Sequence, residues 1–176
     1  MSRRPLAREK VLDAAEAVLT EQGLSALTLE HVAERAGVSK GGLLYHFPSK
    51  AKLVDGLFDR LSELVEAAVA AAPEDPGGVV RWFVVTSAWP AEAETHLYRA
   101  LQAVLRSEDD LETDRLRVIF DAYAEPLRRA VGDPVLATTV RLVGDGLFLS
   151  QLVGLGPPEP QVLDALVEEL VARATG

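Results

Sequence analysis

Few side chains in this sequence are suited to covalent or metal chemistry. There is no cysteine, which excludes thiolate nucleophiles, disulfides and Cys-bound zinc or iron–sulfur centres. The three histidines, His31, His46 and His96, lie far apart in the chain, a poor basis for a triad or a metal cluster. The acidic run Glu108-Asp109-Asp110 reads as a solvated loop and helix start. Gly154-Leu155-Gly156 is not a nucleotide loop, because no strand precedes it and prolines follow. No catalytic, metal or cofactor site is expected, and the chain reads as a non-enzyme. What remains is recognition chemistry, concentrated in one stretch.

Residues 28–47 read TLEHVAERAGVSKGGLLYHF. Thr28 can cap a short helix in which Leu29, Val32, Ala33 and Ala36 follow the helical i, i+3, i+4, i+7 spacing. Gly37 permits the positive φ of a tight corner, and Ser39 can cap a second helix bearing Leu43 and Phe47. The pair predicts a helix-turn-helix whose second helix can enter a DNA major groove. With Leu43 and Phe47 inward, Gly41, Gly42 and Tyr45 face outward, flanked by Lys40 and His46. Two glycines in a short helix cost roughly 1 kcal/mol each against alanine. They make sense where something large must approach the backbone closely.

Charge agrees with that placement. The chain carries a net −9, yet residues 1–52 hold 8 Lys and Arg against 6 Asp and Glu. All four lysines, Lys10, Lys40, Lys50 and Lys52, lie in this head. Residues 53–176 hold 10 against 21. A mildly basic head on an acidic body suggests a local anion-binding face. Lys50 and Lys52 open a further helix after Ser49, where free N–H groups and the positive dipole end suit a phosphate.

The elements that must position these residues are all helical. A stripe of Val11, Ala15, Val18 and Leu19 predicts a first helix ending at Gly23. Pro48 stops the third helix, and Leu53, Leu57, Leu61, Leu64 and Ala68 mark a long fourth one. The loop from Pro73 to Gly78 is the clearest break. Helices are expected after it at about 79–88, 91–106, 110–131, 135–154 and 160–174, with Pro126 kinking or splitting the third of these. Strand signals are nearly absent. The fold class is all-α: a three-helix head, continuous through helix four with a C-terminal helical bundle. The expected division is a DNA-binding domain over 1–52 and an effector-binding and dimerisation domain over 53–176. Arg141 and Asp145 in the apolar stretch 135–155 argue against a membrane helix. The start Met1-Ser2-Arg3-Arg4 lacks the apolar run of a signal peptide, so the cytoplasm is the expected location.

Residues 8–58, and GVSKGGLLYHFPSKAKL above all, resemble the DNA-binding domain of the TetR family of transcriptional regulators. The resemblance implies a homodimer that binds a palindromic double-stranded operator and usually represses. A small-molecule effector in the helical body would pull the heads out of register. It places Thr28, Ser39, Lys40, Gly41, Tyr45, His46 and Lys50 or Lys52 at DNA-contacting positions. Leu44 departs from the pattern, standing where the family most often has a tyrosine that touches the backbone.

In the body, Trp82, Phe83, Phe120, Tyr123 and Phe148 fall where helices should surround an interior, with Trp89 and Tyr98 nearby. Thr86, Gln102, Asp145 and Gln151 are polar groups on otherwise apolar helices, and a buried polar group needs a partner that a ligand can supply. The expected effector pocket is Trp82, Phe83, Thr86, Phe120, Tyr123, Asp145 and Phe148. Gly144-Asp145-Gly146 within a long helix fits close helix crossing, a pocket wall or a dimer axis. The last two helices resemble the family's dimer pair, with Leu163, Leu166 and Leu170 as the expected contact. A rival reading is a helical dimer that regulates through protein partners with little DNA binding.

Overall fold

In a computed structural model, residues 7–105 and 110–176 are described. Met1 to Arg4 and the acidic residues Glu108 and Asp109 lie outside them. The described chain is ten α-helices and one 3-10 turn, without strands. The helices are α1 (Ala7–Gln22), α2 (Leu29–Ala36), α3 (Lys40–His46), α4 (Lys50–Ala70) and α5 (Pro76–Ala88), with the 3-10 turn at Leu24–Ala26. They continue as α6 (Glu92–Leu105), α7 (Asp110–Tyr123), α8 (Glu125–Ala130), α9 (Pro134–Leu152) and α10 (Pro160–Thr175). The all-α class expected from the spacing is what the chain adopts.

Two compact units emerge. One comprises the residues up to Glu63 with His96–Leu116; the other comprises Leu64–Thr95 with Arg117–Gly176. The first unit therefore holds 53–63 and 96–116, which a boundary after residue 52 assigns to the body.

In the first unit, the α1 stripe of Val11, Leu12, Ala15, Val18 and Leu19 is buried with Val32 and Ala33 of α2 and Leu43 of α3. Burying such aliphatic side chains contributes about 1.5–3 kcal/mol each. Phe47 is buried too, and a Cβ added at Gly56 would stand 2.6 Å from its ring, so α4 passes close to the end of α3. Arg60 of α4 ties that helix to α1 through Glu9 at 2.7 Å and Asp13 at 2.8 Å.

In the second unit α5 is packed against α9 and α10. Val79, Val80, Phe83, Val84 and Ala88 share a core with Leu136, Val140, Leu147, Leu163, Val167 and Leu170. Gly144 is small because the helices cross there: a Cβ would lie 2.4 Å from the Phe83 ring. Pro126 does split the expected third stretch, with Ala124 between α7 and α8. Helices α5 and α9 start three residues and one residue earlier than the apolar pattern predicts. Asp75 and Asp133 cap them, accepting from Gly78 N–H at 2.7 Å and Val135 N–H at 2.8 Å, each followed by a proline in the first turn. By length and composition α9 is apolar enough to cross a membrane, but its Arg141 pairs with Asp121 of α7 at 2.9 Å and its Gly144 face abuts Phe83.

Candidate functional site

The corner between α2 and α3 is built by its caps. Thr28 Oγ1 accepts from the His31 N–H at 3.2 Å, and Ser39 Oγ accepts from the Gly42 N–H at 3.0 Å. Gly37 ends α2 at φ 65°, a left-handed conformation that an ordinary side chain resists. Each capping oxygen is used as an acceptor, so each hydroxyl proton remains available to an acceptor outside the helix. Both residues are exposed.

Leu43 and Phe47 turn inward. Gly41 is exposed, and a Cβ there would meet nothing within 4 Å. Gly42 is half-buried, and a Cβ there would lie 3.1 Å from Ser39 Oγ. Tyr45 is 85% exposed, high for an aromatic ring, and packs edge-on to the exposed His46 at 5.1 Å between centroids. Lys40 pairs with Glu30 at 2.5 Å, which holds the Glu30 carboxyl below its usual range. Thr28, Ser39, Lys40, Gly41, Tyr45 and His46 are thus all surface residues of one helix-turn-helix.

The two lysines of α4 carry contacts that the sequence did not reveal. Lys50 Nζ donates to the Leu24 carbonyl at 2.8 Å. Lys52 Nζ donates to Asp55 Oδ2 at 2.9 Å, and the Lys52 N–H donates to Ser49 Oγ at 3.2 Å.

In the second unit, Trp82, Phe83 and Tyr123 form an aromatic cluster, with Tyr123 5.1 Å from Trp82 and 5.3 Å from Phe83. Phe120 and Phe148 form a separate edge-on pair at 6.2 Å. Thr86 Oγ1 donates to the Trp82 carbonyl at 2.6 Å and lies 2.5 Å from the Tyr123 hydroxyl. A hydroxyl has one proton; with Thr86's committed to the carbonyl, Tyr123 donates to Thr86. Burial pushes the Tyr123 hydroxyl up to about 12. Asp145 faces Arg141 at 3.6 Å, and burial raises its carboxyl against that cation. Gln151 donates to the Ala88 carbonyl at 2.6 Å. Thr86, Asp145 and Gln151 therefore have partners within the chain.

A cavity of about 610 Å3 opens between α8 and α9, lined by Leu127, Arg128, Val131, Ala137, Arg141 and Leu142, among others. None of the residues expected at the effector pocket lines it. Leu127 and Val131 belong to the 110–131 stretch that Pro126 is expected to kink or split, and Ala124, where it splits, also lines the cavity.

The expected dimer residues divide. Leu163 is 1% and Leu170 4% exposed, both packed in the unit's own core. Neither has surface left for a partner; their apolar stripe answers to α5. Leu166 is half-buried. Exposed large apolar residues of this region include Val135, Leu142 and Leu149 of α9, Val153 and Leu155 just after it, and Val162 of α10, while Val85, Trp89 and Val118 are exposed elsewhere in the unit.

An all-helical chain with an exposed helix-turn-helix face and a separate helical core is a helix-turn-helix regulator in architecture. Residues 11–57 match the model for bacterial regulatory proteins of the tetR family. Residues 77–175, more than half of the chain, match the tetracyclin repressor-like C-terminal domain. The chain belongs to the TetR family. The HTH-type transcriptional regulator TtgR of Pseudomonas putida is 37% identical over 78 residues, a match spanning 42% of this chain and only 37% of TtgR. The nucleoid occlusion factor SlmA of Vibrio cholerae is 29% identical over 153 residues, 84% of this chain and 78% of SlmA. Among solved structures, the multidrug binding protein EbrR complexed with malachite green superposes with a TM-score of 0.72 at 23% identity, covering 94% of this chain and 98% of that one.

Proposed function

We propose that this protein is a ligand-responsive repressor that binds a palindromic operator as a homodimer and releases it when a small molecule occupies the second unit. The observation that carries the DNA reading is the α3 face: Tyr45 stands 85% exposed beside a glycine with open space where a side chain would be. A bare backbone and one projecting ring suit a helix pressed into a groove, the ring reaching a thymine methyl. Thr28, Ser39, Lys40, Gly41, Gly42, Tyr45, His46, Lys50 and Lys52 are the contact set. Residues 1–52 then serve as the DNA-binding part and 53–176 as the effector-binding and dimerisation part.

The dimer reading is supported by the outer face of α9. Val135, Leu142 and Leu149 recur every seven residues and are all exposed, a seam that fits a two-fold, self-complementary contact. On α10, Val162 is exposed and Leu166 half-buried. The effector reading assigns the pocket to the Trp82, Phe83 and Tyr123 cluster with Thr86, to the separate Phe120–Phe148 pair and to Asp145. EbrR, which shares the fold, was solved complexed with malachite green, and aromatic side chains are common in small-molecule sites.

An electrophoretic shift on the promoter region of the protein's own operon tests the reading. The shift is expected to survive excess random duplex. Equal competition by random and promoter DNA at physiological salt contradicts it.

A further inference from the structure

We propose that Asp55 and Arg115 are positioning residues that set how much positive charge Lys52 offers to a DNA phosphate. The proposal rests on the reading of Lys52 as a phosphate contact. Asp55 sits one turn after Lys52 on α4, and its two carboxylate oxygens serve two different cations. Oδ2 accepts from Lys52 Nζ at 2.9 Å. Oδ1 accepts from Arg115 Nη1 of α7. Arg115 is itself fixed: its Nη2 donates to Asp59 Oδ1 at 3.1 Å, and its guanidinium lies 4.7 Å from the centre of the Phe58 ring. Lys52, Asp55 and Arg115 line one open polar hollow of about 490 Å3, which also reaches His46 at the end of α3. All of these residues belong to the first unit.

The consequence follows from charge. With Arg115 on Oδ1, the single negative charge of Asp55 is divided between two cations, one of which also serves Asp59, and Lys52 keeps part of its own charge toward the outside. Its side chain is 64% exposed, so two ammonium N–H groups remain for a phosphate. Without Arg115, Asp55 neutralises Lys52 one for one. Both cations already hold the Asp55 carboxyl below its usual range, the Lys52 hydrogen bond foremost.

The test is fluorescence anisotropy of the full-length protein on a random-sequence duplex of about three helical turns, across a salt series. Random DNA reads phosphate contacts without base readout. Lys52→Ala is expected to weaken binding and lower the salt slope by about one per head. Arg115→Gln is expected to weaken binding about two- to fivefold, the range an exposed ion pair commands, with the same fall in slope. Arg115→Lys should restore most of the loss, and Asp55→Asn should reverse it. In a Lys52→Ala background the Arg115→Gln effect should vanish. If Arg115→Gln weakens binding equally with or without Lys52, the positioning role is overturned. If Lys52→Ala alone changes neither affinity nor slope, the phosphate contact itself is wrong. Thermal melts accompany each variant; should Arg115→Gln fail to fold, Asp55→Asn against Lys52→Ala measures the same coupling, and additive effects there refute it.

Discussion

Replacing Gly41 by leucine separates DNA contact from folding. Gly41 is the second residue of α3, exposed, and beyond its chain neighbours and its own helix backbone nothing lies within 4 Å of where a Cβ would stand. Leucine is a better helix former than glycine by up to about 1 kcal/mol in a helix interior, and by less in a first turn. The variant should therefore melt at or slightly above the wild type, by about 1–2 °C for a chain of this size. In the groove the same side chain has nowhere to go. Promoter affinity should fall at least 100-fold, about 2.7 kcal/mol, measured by anisotropy beside the melt. Gly42 is a poorer probe, because a Cβ there stands 3.1 Å from Ser39 Oγ. That oxygen caps α3, and losing a cap costs about 1 kcal/mol by itself. A folded Gly41→Leu variant with wild-type affinity would refute the assignment of this face to DNA.

Tyr45→Ala should change which base is preferred opposite the ring as well as weakening binding; a selection on randomised duplexes that returns the wild-type preference shows that the ring reads no base. Leu142→Glu with Leu149→Glu should yield a folded monomer by sedimentation, with operator affinity collapsing because one head makes half the contacts; a variant that stays dimeric places the interface elsewhere. Tyr123 gives a pH prediction. Its hydroxyl titrates at about 12 when folded and near pH 10 unfolded. The folded state thus holds a proton that the unfolded state loses, so this contribution is complete below about pH 10 and disappears as pH approaches 12. Denaturant melts at about pH 9 and pH 11 should show the wild type losing more stability than Tyr123→Phe, by on the order of 1 kcal/mol; equal losses contradict the buried-phenol account.

The helix-turn-helix was legible because its signals are local. Thr28, Gly37 and Ser39 act within three residues of themselves, through caps and a positive φ that follow from residue type. The starts of α5 and α9 were legible in principle, since Asp75-Pro76 and Asp133-Pro134 are cap-and-proline pairs, but the glycines after Asp75 read as loop. The α10 stripe was visible while its neighbour was not: amphipathic spacing says that Leu163 and Leu170 face something apolar, and α5 of the same chain supplies it. Contacts between distant residues left no trace in the pattern. Lys50 reaches a carbonyl 26 residues away, and Arg115 reaches Asp55 across 60. The break before α8 was legible in Pro126, but the cavity between α8 and α9 depends on how the two helices pack, which no periodicity encodes.

Methylation interference on a promoter duplex tests the central claim most directly. Guanine N7 lies in the major groove, so a methyl group there blocks a helix inserted into that groove and leaves the minor groove untouched. The account predicts two clusters of interfering guanines, centred about one helical turn or a small multiple of it apart and related by two-fold symmetry, as two α3 helices of a dimer require. Stable binding with no interference at N7, or with a single unpaired cluster, would contradict it.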